Sequence, residues 1–72
     1  MVLALEERGG VVDAVLAGCR RDELRRAAAR ACARRFGAGE WRVCEEHFRP
    51  TMVTRAGSVR LWEGRFELER VA

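Results

Sequence analysis

The chain contains no lysine, isoleucine, asparagine, glutamine or tyrosine, and only one histidine and one proline in 72 residues. Ile, Lys, Asn and Tyr use AT-rich codons. The abundant Arg, Ala and Gly use GC-rich ones, so biased coding is the simplest cause of the alphabet. It also discounts the arginine count as a functional signal, because Arg is the only strong cation on offer. A single His leaves no Ser/His/Asp set. There is no Gly-rich phosphate loop and no convincing carboxylate dyad, so an enzyme is not expected and no cofactor is implied. The lack of Tyr weakens any reading in which bases stack on aromatics between basic residues. No apolar run approaches the roughly 20 residues of a membrane span, so no membrane partner is expected. The opening "MVLALEERGG" does not read as a signal peptide, since Glu6 and Glu7 cut its apolar stretch short, and a cytoplasmic protein is expected. Three cysteines without a secretion signal fit free thiols better than a disulfide framework.

A chain of this length reads as one small domain, residues 1–72. Such a domain buries only about 60% of the surface its unfolded form exposes, which leaves a marginal core and favours a partner or an oligomer. The net charge of +3 is modest and uneven. Residues 20–35 hold seven Arg against two acids, whereas residues 37–72 hold six of each.

That basic stretch reads as a helix, and the last third of the chain carries the strongest structural signal. Strong helix formers from about residue 21 to 36 predict a helix, with Asp22 and Glu23 at its start and Gly37 just beyond its end. At 100° per residue Leu24, Ala28, Ala31, Cys32 and Phe36 share one arc, with Arg25 at its margin and Glu23, Arg26, Arg30 and Arg34 opposite. Residues 2–8 fit a short helix or a strand, ended by Gly9 and Gly10. Residues 11–18 place Val11, Val12, Val15 and Leu16 together at helical spacing. Residues 40–48 fit a helix or a strand: as a helix they put Trp41, Cys44 and Phe48 on one face, before Pro50, and as a strand they alternate poorly, with Glu45 and Glu46 adjacent.

The last third reads as a three-stranded antiparallel meander over residues 51–55, 58–62 and 65–71, with two-residue turns at Ala56-Gly57 and Glu63-Gly64. In that register Thr54, Val59 and Leu68 line up, as do Met52, Leu61 and Phe66. Arg60 then opposes Glu67, and Trp62 lies beside Arg65 on the other face. The expected fold is α+β: N-terminal helices packed on the C-terminal meander through Leu24, Ala28 and Ala31.

Two kinds of surface follow. An outward Trp62, with Val53 and Arg65, is the candidate interface for a protein partner or a second copy. Open sheet edges favour the same kind of contact. The Arg26/Arg30/Arg34 stripe is the candidate for phosphate contacts, against the reading of an ordinary solvated face. Ala14, Gly18 and Leu24 match the spacing of a helix-turn-helix, with the meander as a wing, although Asp13 falls where that motif buries an apolar side chain. Cys19, Cys32, Cys44 and His47 do not form the two close pairs of a structural zinc site, so no metal is expected; Cys44 with His47 is a candidate thiolate–imidazole pair, against the reading of a structural or exposed histidine. The sequence therefore points to a small non-enzymatic binding module acting through protein contacts or self-association. The alternative is a nucleic-acid-binding regulator built on the arginine helix.

Overall fold

A computed structural model describes residues 1–71. The chain runs β1 (Val2–Arg8), β2 (Val11–Gly18), α1 (Arg21–Phe36), β3 (Glu40–Val53) and β4 (Val59–Val71). The four strands form one sheet in the order β1-β2-β4-β3, with every neighbouring pair antiparallel. The fold is α+β as expected. Its single helix, however, lies between two hairpins rather than at the N-terminus, and the sheet has four strands rather than three.

Residues 11–18 form a strand because their burial has period two. Val12, Ala14 and Leu16 are buried, and Val11, Asp13, Val15 and Ala17 are not. Gly9 and Gly10, with φ of 55° and 86°, supply the positive-φ pair that a tight hairpin needs. The helix expected at 11–18 is thus replaced by β2, and the helix-turn-helix goes with it.

Residues 40–48, which by sequence fit a helix or a strand, belong to the long strand β3. The pairing slips between Val43 and Glu45, so Cys44 is an extra residue in the ladder. This bulge resets the alternation. Trp41 and Val43 before it, and Glu46 and Phe48 after it, are the half-buried positions, a spacing that resembles a helix in the sequence alone. Pro50 falls on an edge strand, where a missing N–H is tolerated.

The turn expected at Glu63-Gly64 does not exist, because β4 runs straight through it. Gly64 serves packing instead. A Cβ there would meet the Phe66 ring at 2.6 Å and the Phe48 ring at 3.3 Å. The two rings make an edge-to-face contact with centroids 5.6 Å apart.

Helix α1 spans the residues the sequence predicts and lies over one face of the sheet. Its Leu24, Ala28 and Cys32 join Val12, Ala14, Leu16, Phe66 and Leu68 in a single core cluster, with Ala27, Ala29 and Phe36 packed at its margin; Ala31, expected in the contact, is half-buried outside it. Met52, expected in this core, is 57% exposed. Two of the eight core positions are alanine, so the buried apolar area is small. The end of α1 is tied down from β4: Arg70 Nη2 donates to the Phe36 carbonyl at 2.5 Å, and its guanidinium lies 5.1 Å from the Trp41 ring. Trp41 Nε1 donates to the Gly37 carbonyl at 3.1 Å. These bonds satisfy carbonyls that a helix end leaves open.

Candidate interaction surface

The residues expected to form an interface are not brought together. On the straight strand β4, Trp62 falls on the helix side, packed against the core, with the Arg21 guanidinium 4.6 Å from its ring. Arg65 lies on the free face of the sheet, its Nε 3.2 Å from Glu63. Val53 is far along β3, beside Val59. With no turn at residues 63–64, Trp62 and Arg65 cannot be cross-strand neighbours.

Arg26, Arg30 and Arg34 do share the exposed side of α1. Arg26 is bonded to Asp22 one turn earlier, at 3.3 Å. Arg30 and Arg34 make no ion pair among the described residues. Arg25, at the margin of the apolar arc, grips Glu46 of β3 through two hydrogen bonds, the Nε bond 2.7 Å long. That bond holds the Glu46 carboxyl below the ordinary carboxylate range. Asp13 is lowered in the same way by its bond to Arg8. The basic helix is therefore partly neutralised from its own first turn and from the sheet.

The cysteines occupy three separate places. Cys19 is exposed at the start of the helix, Cys32 is in the core and Cys44 is exposed on the β3 edge. Burial pushes the Cys32 thiol up, which makes it a small core side chain rather than a nucleophile. Among the described residues no group of three or more His, Cys, Asp or Glu is placed to hold a metal ion.

The helix-free face of the sheet is charged. A concavity of about 380 Å³ there is lined by Glu6, Asp13, Glu45, His47, Arg65 and Glu67, among others. Arg8–Asp13, Arg42–Glu69 and Arg49–Glu63 pair along it.

One feature was not visible in the sequence: an arm. β2 makes its last pair with β4 at Gly18–Trp62. Beyond that point β3 and β4 have only each other, through Met52–Leu61 and Val53–Val59, and the molecule measures 45 × 18 × 17 Å. The tip closes with Thr54 N donating to the Ser58 carbonyl at 2.8 Å and Gly57 N to the Thr54 carbonyl at 3.0 Å. From Thr51 to Leu61 the arm contains Arg55 and Arg60 and no acid. Met52 and Val53 on it are 57% and 53% exposed.

The start of β1 lies at the same end of the sheet. Met1 and Ala17 exchange two hydrogen bonds of 2.7 and 2.9 Å, and Ala17 is paired with Glu63 at the root of the arm. Here Met1, Val2 and Leu3 are 79%, 44% and 49% exposed. Five of the six exposed large apolar side chains among the described residues thus sit on the arm or at the adjacent start of β1. No helix of the described residues is long and apolar enough to cross a membrane.

No protein-family model matches the chain, and no curated protein or solved structure matches it.

Proposed function

We propose that the protein is a small non-enzymatic binding module that acts through self-association or contact with another protein, using the arm and the β1 edge. The observation that carries this is the gathering of exposed apolar side chains at one end of the sheet, beside two strand edges without neighbours. Apolar groups grouped in this way are the usual mark of a contact surface, and open edges invite strand addition. The small core adds a motive, since a domain of this size gains stability from whatever covers it. Val53 remains part of the proposed surface; Trp62 and Arg65 flank the root of the arm from opposite faces of β4. Sedimentation equilibrium over a wide concentration range, with and without Met52→Ser and Val53→Ser together, is the test. Association that the double variant weakens supports the reading. A wild-type monomer at every concentration, with no protein partner lost by the variant, contradicts it.

The second reading, nucleic-acid binding, is supported by Arg30 and Arg34 standing without acids and by the acid-free arm. Its helix-turn-helix form is gone with the helix at 11–18. What remains is phosphate contact by Arg26, Arg30 and Arg34. It predicts affinity for generic duplex DNA that falls steeply between about 50 and about 200 mM salt, and that Arg26→Glu with Arg30→Glu abolishes.

A further inference from the structure

We infer that the partner is a second copy of this chain, and that the dimer is reciprocal: the arm of each copy lies along the β1 edge of the other. This rests on the self-association reading and assigns its two surfaces.

The two surfaces are complementary in three respects. Both are apolar: Met52 and Val53 on the β3 strand of the arm, and Met1, Val2 and Leu3 at the start of β1. Their charges are opposite. The arm holds Arg55 and Arg60 without an acid, and β1 holds Glu6 and Glu7, neither of them in an ion pair among the described residues. Arm against arm would bring arginines together, and edge against edge would bring Glu6 and Glu7 together, so each surface rejects itself and accepts the other. Both also have open backbone edges. Past Trp62, β4 has lost its neighbour β2, which frees Val59 to Leu61 on that side. The outer side of β1 has no neighbour, and its ladder is regular from Ala4 to Arg8.

Strand direction allows the pairing. Within one copy β1 and β4 are parallel, because both are antiparallel to β2. A two-fold axis perpendicular to the sheet reverses one copy, so the arm part of β4 runs antiparallel to β1 of the other. Because the arm and the start of β1 share one end of the sheet, both contacts form at once and the assembly closes at two.

Charge exchange tests this directly. An arm variant, Arg55→Glu with Arg60→Glu, and an edge variant, Glu6→Arg with Glu7→Arg, are each followed by sedimentation and native mass. Circular dichroism and the urea midpoint check that both still fold. The wild type is expected to dimerise, and each variant alone to associate about tenfold more weakly or worse. Mixed one to one, the two variants should form a dimer, because both contacts then join opposite charges. Three results overturn the inference. In the first, the wild type dimerises and neither variant weakens it, which leaves self-association standing but places it elsewhere. In the second, the mixture fails to restore the dimer. In the third, the wild type stays monomeric, which removes the self-association reading as well; uptake of duplex DNA through Arg55 and Arg60 by that monomer would show what the arm serves instead.

Discussion

The body of the sheet and the arm are made of the same two strands, β3 and β4, yet they are built to different rules. In the body, Phe66 and Leu68 are buried under α1, and every strand segment but the outer sides of β1 and β3 has neighbours. In the arm, β3 carries Met52 and Val53 into solvent with only Leu61 and Val59 of β4 across from them. A two-stranded ribbon in water is marginal by itself, so the arm gains little for folding by being apolar. The contrast separates residues that hold the fold from residues free to make contacts.

The largest effect that would sharpen this contrast is in the core. Leu68→Ala, fully buried, is expected to cost about 2–5 kcal/mol in urea unfolding, whereas Met52→Ala on the arm should stay within about 0.5 kcal/mol. Equal losses at the two positions would break the distinction. Gly64→Ala comes next. The new methyl meets Phe66 and Phe48, and overpacking of this kind costs about 1–3 kcal/mol; adding Phe48→Leu should recover part of that loss in urea unfolding, and no recovery would break the packing role of Gly64. Arg70→Ala should cost roughly 1 kcal/mol, through loss of its bonds to the carbonyls at the end of α1, and a lower helix signal would place the loss there.

The smallest effect is pH-dependent. Glu46 is held below its ordinary range by Arg25. Its contribution is therefore fully present above an unfolded pKa of about 4.3 and is lost as pH falls through the lower folded value. Glu46→Gln should lower the melting temperature slightly at neutral pH, and the gap to wild type should close in acid. A gap that stays constant with pH would show that the Arg25–Glu46 pair adds nothing.

What the sequence made legible was local. Helix α1 was readable to its ends, because its residues are strong helix formers and its acids and arginines sit where the helix dipole favours them. The placing of Arg25 at the margin of the apolar arc also matched its contact with Glu46. The strands were harder for identifiable reasons. Val11 to Leu16 satisfies both a helical and a two-residue period, and the Gly9-Gly10 turn with its β-branched valines was the signal for the strand. In β3 the bulge at Cys44 disguised the alternation. In β4 Glu63-Gly64 looked like a turn, while Gly64 is there to admit two phenyl rings. Placing Trp62 outward followed from that turn. The arm was hidden for a different reason: whether an apolar residue such as Met52 is covered depends on where β2 stops, which no local pattern encodes.

Hydrogen exchange at low and high protein concentration tests the division between body and arm most directly. At low concentration the amides of Phe66 and Leu68 should be well protected, and those of residues 59–61 and the outer side of β1 should exchange fast. At high concentration only the second group should slow, as arm and edge are covered by a second copy. No change with concentration in residues 59–61 and 4–8, or a change confined to the outer face of α1, would contradict the account.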